Sequence, residues 1–256
     1  MANISARTRI FAVVALVAAL PTGTALAQSD IGAASSVVNQ VSGERGGTSR
    51  QLAIGDRVYQ SEVISTASDA RGQILFRDET ALTLGPSSRV ALDRFVYNPG
   101  GQSAMSVSAA KGVFRFVSGN LPSTSYNVGT PVGTIGVRGT IVDGIYDDQL
   151  KVLIAQLLSG KFVFTGANGL QTWVTNIGDV LEVGLDGKIT IYGKLSESRR
   201  AQLAAIRDLL DRSDLLDNPG RGTITKEVLR KSQTPSSPGG PGRPGGGGPG
   251  SGGDGG

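Results

Sequence analysis

The residue best suited to binding chemistry is Arg138, which lies in the run Gly136-Val137-Arg138-Gly139-Thr140. Glycines let backbone N–H groups approach a carboxylate or phosphate, and a guanidinium can bind the same anion through two hydrogen bonds. The run therefore predicts an anion-binding site formed by Gly136, Arg138, Gly139 and Thr140. The alternative, which we favour on packing grounds, is that Arg138 pairs with an acidic residue while the glycines serve tight turns and close strand approach.

Catalytic chemistry is restricted by composition, because the 256-residue chain contains no Cys and no His. This excludes thiolate and imidazole nucleophile–base pairs and ordinary zinc sites. Asp78 and Glu79 are an acid–base pair in principle, but neighbours in a strand point to opposite faces, and in a turn both face water. Asp143, Asp147 and Asp148 lack a calcium-loop pattern and are typical of exposed turns. We expect no enzyme activity, no metal and no cofactor.

The few aromatic residues divide into core and surface candidates. Two pairs are spaced two residues apart and therefore share a face of a strand, which predicts core positions: Phe114 with Phe116, and Phe162 with Phe164. Three others could line a sugar-binding surface: Tyr97, Tyr126 and Trp173. A single Trp and no clustered aromatics argue against that surface.

The N-terminus has the pattern of a secretory signal peptide. Arg7 and Arg9 precede an unbroken apolar run at residues 10–20, and Ala25-Leu26-Ala27 is a cleavage site before Gln28. Eleven apolar residues are fewer than the ~20 that span a bilayer. We therefore expect residues 1–27 to be removed and the mature chain to be periplasmic or secreted, without an integral membrane span. Losing two arginines reduces the net charge from +4 to +2, which gives no support for nucleic-acid binding.

Three zones follow the leader. Residues 31–193 contain short apolar, β-branched segments separated by Gly, Pro, Asn and Asp, which predicts an all-β domain. Residues 195–231 change to a helical pattern. Within them, residues 195–216 have an apolar stripe at Leu203, Ile206, Leu209 and Leu210, which predicts an amphipathic helix. Residues 234–256 have 12 glycines and 5 prolines, which predicts a disordered tether.

Some details of the β zone are also predicted. An opening strand is expected at residues 35–41, a polar turn at residues 43–47 and a hairpin turn at residues 77–80. Ile54-Gly55-Asp56 recurs as Ile177-Gly178-Asp179, each before an apolar strand, which suggests a weak pseudo-repeat.

An ordered series of motifs resembles the FecR-like domain, an all-β extracytoplasmic module tied to bacterial envelope signalling. Residues 130–140 resemble the family's T-P-x-x-x-I-G-V-R-G-T signature. The other elements follow in order: Leu52, Gly55, Asp56 and Val58; Ile64 and Thr66; residues 73–76; residues 78–80; Leu82, Leu84, Ser88 and residues 90–95; and residues 160–164. The resemblance covers residues 36–193 and implies a β-helix-like or rolled stack of short strands. A β-sandwich is the alternative, since sequence does not separate stacked coils from paired sheets.

The resemblance also shapes the functional prediction. Sigma-regulating members of the family have a cytoplasmic N-terminal segment, a membrane span and a C-terminal receptor-contacting region. This chain has a leader, a helical segment and a glycine-rich tail in those places, so it resembles the periplasmic module alone. We expect an exported, non-enzymatic binding module that recognises a protein partner or an envelope ligand. A periplasmic sensor component of a signalling system is the alternative, and a carboxylate-dependent hydrolase is a third class.

Overall fold

The computed structural model describes residues 30–98 and 101–193, together with the two positions 204 and 208. The predicted leader and glycine-rich tail lie outside these residues, as does the helical extension apart from Ala204 and Asp208. Within the described ranges the chain forms strands joined by short turns and one 3₁₀ turn at Ser123–Ser125, so the all-β prediction is confirmed. The β-helix-like or rolled arrangement stays a prediction. The described part contains no helix that combines the length and apolar character of a membrane span.

Fifteen strands belong to one hydrogen-bonded sheet. They are β1 Asp30–Val38, β2 Val41–Arg45, β3 Thr48–Gln51, β4 Arg57–Tyr59, β5 Val63–Thr66, β6 Arg71–Phe76, β7 Ala81–Leu84, β8 Arg89–Val96, β9 Ala104–Val117, β10 Tyr126–Thr130, β11 Gly133–Asp147, β12 Val152–Gly166, β13 Gln171–Val174, β14 Val180–Val183 and β15 Ile189–Tyr192.

The sheet is open rather than closed on itself. Its main path runs β15-β14-β12-β11-β10-β9-β7-β6-β1-β4, so β15 and β4 are its ends, and β13 is paired only with β12. All described pairings are antiparallel except that between β9 and β10. Most connections are therefore hairpins or short excursions, in agreement with the many turn residues of the sequence.

The first hairpin differs from the sequence prediction. The opening strand, expected at residues 35–41, is β1 at Asp30–Val38. Asn39, at φ 57°, ends this strand, and β2 begins at Val41. The polar residues expected as a turn at 43–47 are largely strand, because only Gly46 and Gly47, at φ 58° and 78°, connect β2 to β3. Two consecutive positive φ angles are typical of the tight two-residue hairpin turn, which leaves the flanking polar residues free to pair.

The three long strands β9, β11 and β12 connect the shorter strands into one sheet. The first half of β9 pairs with β8 and β10, and its second half pairs with β7 and β11. Likewise β12 pairs with β13 near its end and with β14 near its start. Each long strand thus pairs with different strands along its two halves. A bend within such a strand therefore changes the angle between the two groups of strands that it joins.

The hydrophobic core lies on one face of these strands. Phe114, Phe116, Phe162 and Phe164 are all fully buried, which confirms the core prediction. Phe114 leaves no room for a side chain on the neighbouring strand, because a Cβ on Gly144 would overlap its ring. The glycine is therefore a packing requirement rather than a turn signal.

The two Ile-Gly-Asp motifs form matching turns. Gly55 and Gly178 have φ angles of 92° and 94°, as type II turns require at their third position. In each, the glycine N–H donates to a strand carbonyl, of Ala34 or of Leu157, at 2.8 Å. The same strand residue donates back to the motif aspartate carbonyl at 2.8 or 3.0 Å. The pseudo-repeat in the sequence corresponds to a repeated strand–turn–strand geometry.

Candidate binding surface around Arg138

The Arg-Gly-Thr segment is a bulge in β11. Before it, residues 133–137 pair with β10, and after it, residues 141–146 pair with β9. Opposite, the β12 register steps from Lys161 to Ser159 while β11 steps from Arg138 to Ile141, so Gly139 and Thr140 face one residue, Gly160. Gly139 has φ 63°, the conformation of the first residue of a glycine bulge. A Cβ on Gly160 would overlap the Gly139 carbonyl, so both glycines are needed where the strands bend.

Thr140 fixes the bulge to the end of β9. Its backbone N–H donates to Ser118 Oγ at 2.9 Å, and its carbonyl accepts from the Ser118 N–H at 3.1 Å. The residue is buried. Of the four residues of the predicted anion site, Thr140 therefore has its amide engaged and its side chain covered.

Arg138 lies on the outer face of the sheet, opposite Lys161 of β12. The Arg138 Nη1 lies 3.4 Å from the Ser123 carbonyl oxygen, and among the described residues no carboxylate forms an ion pair with it. The alternative interpretation, in which Arg138 pairs with an acidic residue, is not the arrangement found. The same interpretation assigns the glycines to tight turns and close strand approach, and this agrees with the bulge. The anion-binding role of Arg138 stays a prediction.

Trp173 completes what we call the basic–aromatic patch, formed by Arg138, Lys161 and Trp173. The Lys161 Nζ lies 5.8 Å from the Trp173 ring centroid, within the range of a cation–π interaction. Trp173 is 48% exposed although it belongs to a strand. Sequence reasoning considered Trp173 and Arg138 separately and missed Lys161. Register prediction could have found it, because opposite residues of an antiparallel pair share a face.

The patch continues along one cross-strand row of the outer face. Trp173 is opposite Val163, Val163 opposite Gly136, and Gly136 opposite Asn127, which is also beside Ser106. Gly136 is buried, and a Cβ there would lie 2.9 Å from Val163 Cγ1, so its role is close strand approach. The row beside the aromatic ring therefore contains only uncharged residues, Val163, Gly136, Asn127 and Ser106.

The electrostatic character of the patch is uniform. Residues 120–142 and 149–178, which supply β10, β12, β13 and the Arg138 half of β11, contain no Asp or Glu. Arg138, Lys151 and Lys161 are the charged residues of those two segments. The surface presented by these strands is therefore cationic and aromatic, which suits a carboxylate or phosphate bearing partner.

Asp78 corrects a sequence prediction. The hairpin turn at 77–80 is present between β6 and β7, but Asp78 is fully buried instead of facing water. Its Oδ2 accepts hydrogen bonds from Thr80 Oγ1 at 2.6 Å and from Tyr126 Oη at 2.9 Å. Tyr126 Oη also accepts from the Leu121 N–H at 2.7 Å. A carboxylate held by these donors is a structural anchor for the chain between β9 and β10.

Tyr126 is a second correction: the sequence allows it a place on a sugar-binding surface, but the residue is buried. Its ring packs edge-on against Phe116, with centroids 5.8 Å apart. Burial raises the pKa of Tyr126 to about 12, and the negative charge of Asp78 acts in the same direction, while hydrogen bonds from Thr80 and Leu121 oppose it. Tyr97 is exposed, as a surface candidate should be.

Two of the other candidate carboxylates, Asp143 and Asp147, also have structural partners. Asp143 is buried and forms a two-point ion pair with Arg115, with Nε–Oδ1 at 2.6 Å and Nη2–Oδ2 at 2.8 Å. Asp147 Oδ1 accepts from the Gln149 and Leu150 N–H groups in the turn after β11, and these bonds lower the pKa of its carboxyl. Within the described ranges, no group of three or more acidic side chains is arranged to hold a metal ion.

Comparison with known proteins places this geometry in a family context. Residues 62–168 match the family model of the FecR protein, which confirms the resemblance that the motifs predicted. That range includes the Asp78 turn, the Arg138 bulge and Lys161. No curated protein matches the chain.

Two crystal structures of a candidate anti-sigma factor from Parabacteroides distasonis, at 1.65 and 2.50 Å resolution, are similar to this chain. Each has 14% sequence identity and a TM-score of 0.44. The similarity covers 55% of this chain and 64% or 63% of the other, so the chain spans less than two thirds of the length of that protein.

Proposed function

We propose that this chain is an exported, non-enzymatic binding module of the bacterial cell envelope, which recognises an acidic partner through the basic–aromatic patch. The partner is a protein segment or an envelope polymer that carries carboxylates. The observation that carries the proposal is the exposed Trp173 ring beside Lys161, with Arg138 opposite Lys161. The segments that supply these three residues, 120–142 and 149–178, contain no acidic side chain. The location follows from the leader expected at residues 1–27, with cleavage near Ala27-Gln28.

The chemistry of the patch supports binding rather than turnover. A guanidinium and an ammonium on one face offer hydrogen bonds and charge to a carboxylate, while the indole contributes apolar contact area. Asp78 and Asp143 are the candidate carboxylates of a hydrolase, but both are buried and hydrogen-bonded, Asp78 to Thr80 and Asp143 to Arg115.

The single Trp of the chain allows a direct test, because its fluorescence reports on the patch alone. The mature protein is titrated with a Glu-rich peptide and, separately, with soluble peptidoglycan fragments that carry carboxylates. We expect a saturable change in Trp173 fluorescence that weakens as salt is added. The double variant Arg138→Gln, Lys161→Gln should bind at least tenfold more weakly, since each charged hydrogen bond contributes about 1.5–3 kcal/mol.

The matched control is the double variant Arg89→Gln, Lys111→Gln, because these two residues are opposite each other on β8 and β9, outside the patch. It removes the same two positive charges and should leave the affinity unchanged. Equal losses of affinity in the control and in the patch variant would mean that net charge alone causes the effect, which would contradict the proposal. No saturable response to either probe would contradict it as well.

A signalling role is the second candidate, favoured by the match of residues 62–168 to the FecR protein family. In that role the acidic partner is part of a regulator at the inner membrane. Gene neighbourhood separates the two: an adjacent sigma factor and outer-membrane receptor favour signalling. An adjacent adhesin or transport gene favours a different envelope role.

A further inference from the structure

A second outer face of the sheet lies on the other side of the β11 bulge. One cross-strand row runs through it, from Arg115 on β9 to Asp143 on β11, Gln156 on β12 and Val180 on β14. We call this the ion-pair face. Its side chains point away from Phe114, Gly144 and Leu181, which alternate with them along the same strands and belong to the core side.

This row is buried more deeply than an outer face allows. The side chains of Arg115 and Asp143 are 9% and 4% exposed. Val180 is 0% exposed, yet it does not belong to the hydrophobic core cluster. A guanidinium and a valine in the middle of an uncovered sheet face would meet water on one side. Their burial therefore indicates a covering layer.

The surroundings of the row suit an apolar cover. Val113, Ile145 and Ile154 flank it on the same face, as shown by the pairing of Ile145 with both Val113 and Ile154. Ile145 and Ile154 are only half-buried. The face thus combines a central Arg115–Asp143 ion pair with aliphatic side chains that gain from contact with an apolar partner.

The chain that follows β15 is well placed to cover this face. The row ends at Tyr192 of β15, which is opposite Val180 at the open end of the sheet. The amphipathic segment predicted at residues 195–216 follows within three residues. As a helix, 22 residues extend about 33 Å. The five strand spacings from β15 to β7 extend about 24 Å, so the segment is long enough to cross the face.

The two described positions of that segment indicate its orientation. Ala204 and Asp208 are both helical and both exposed. Residues four apart lie on one side of a helix, at about 100° per residue. The predicted stripe of Leu203, Ile206, Leu209 and Leu210 is centred about 180° away from them. The exposed side is therefore the polar side, and the apolar stripe is directed toward whatever the helix contacts.

We propose that the ion-pair face is the docking site of the chain's own segment 195–216, which lays its apolar stripe across Ile145, Ile154 and the Arg115–Asp143 pair. This interaction is independent of the basic–aromatic patch. It makes the face an intramolecular interface and leaves the patch as the surface open to a partner.

Cysteine cross-linking of the full mature chain tests this contact, since the sequence has no native Cys. Ile154→Cys is combined in turn with Cys at each of the four stripe positions, and the proteins are oxidised and run on non-reducing gels. A disulfide needs Cβ atoms about 3.5–4.5 Å apart. We expect an intrachain disulfide from at least one stripe position.

The matched controls are Ala204→Cys and Asp208→Cys, each combined with Ile154→Cys, which should not cross-link. Failure of all four stripe positions would overturn the proposal, and so would equal cross-linking in the controls. A disulfide found only in a dimer would assign the face to a second copy and also overturn it.

A second measurement avoids any disturbance of the sheet. Ile206→Asp should raise the rate of limited proteolysis within residues 195–216 at least tenfold, while Ala204→Asp should leave it unchanged. Equal rates in the two variants would contradict docking through the stripe.

Discussion

Replacing Tyr126 by Phe tests whether the buried Asp78 network holds the fold together. The substitution keeps the ring against Phe116 and removes only the hydroxyl. That hydroxyl donates to Asp78 Oδ2 at 2.9 Å and accepts from the Leu121 N–H at 2.7 Å. Both partners stay buried in the variant, so neither regains a hydrogen bond from water.

The expected loss follows from these two bonds. A hydrogen bond to a charged group contributes about 1.5–3 kcal/mol, and an orphaned buried N–H costs about 1–3 kcal/mol. Allowing for relaxation, we expect the free energy of unfolding to fall by about 3 kcal/mol. For a domain of this size that corresponds to a decrease in Tm of about 6–12 °C.

Denaturant titrations at pH 7, followed by far-UV circular dichroism, measure the change. Tyr97→Phe is the control, since Tyr97 is exposed and should change stability by less than about 0.5 kcal/mol. If Tyr126→Phe were as stable as the parent, the network would be incidental to the fold and the reasoning refuted.

The same residue gives stability a pH dependence. The folded-state pKa of Tyr126 is about 12, against 10.0 for an exposed tyrosine, so the unfolded chain loses this proton first. Stability is therefore complete below pH 10 and falls as pH rises toward 12. At pH 11 the loss from this residue is about 1.4 kcal/mol. Tyr126→Phe should lack this pH-dependent loss, so the difference in unfolding free energy between parent and variant should narrow between pH 9 and pH 11. A constant difference would contradict the raised pKa of Tyr126.

Three further predictions concern the ion pair, the bulge and the tail. Arg115→Met should destabilise by about 3–5 kcal/mol because it leaves Asp143 buried and unpaired, while adding Asp143→Leu should restore most of the loss; guanidinium unfolding measures both. Gly139→Ala should cost about 1–2 kcal/mol, because φ 63° is unfavourable for any residue with a Cβ; thermal unfolding should show it. Truncation after Gln233 should leave Tm unchanged, and a loss above about 1 kcal/mol would mean that the tail packs on the domain.

Features governed by local chemistry could be predicted from the sequence. The alternation of Phe114 with Phe116 identified a core face, and both are buried. The turns at residues 77–80 and at the two Ile-Gly-Asp motifs follow from residues that favour turns or positive φ. These predictions needed no knowledge of distant partners, since the deciding interactions lie within a few residues.

Asp78 and Tyr126 could not be predicted correctly because their partnership is long-range. They are 48 positions apart, and each alone resembles an ordinary turn or surface residue. Lys161 was missed for the same reason: its proximity to Arg138 depends on the β11–β12 register. A polar residue in a turn faces water only when no distant element brings a donor to it, and sequence pattern does not contain that information.

The bulge at Gly139 explains how one strand can serve two surfaces. On β11, Gly136 and Arg138 are on the outer face before the bulge, and Asp143 and Ile145 after it, although their spacing breaks strict alternation. Without the additional residue, Arg138 and Asp143 would lie on opposite faces, and one charge would enter the core. Deleting Gly139 would therefore do more than remove a bend in β11. It would move every side chain on one side of the deletion to the opposite face of the sheet. The Arg-Gly-Thr run thus holds the register that keeps the cationic patch and the ion-pair face both outward, which is a structural reason for the glycine beside the arginine.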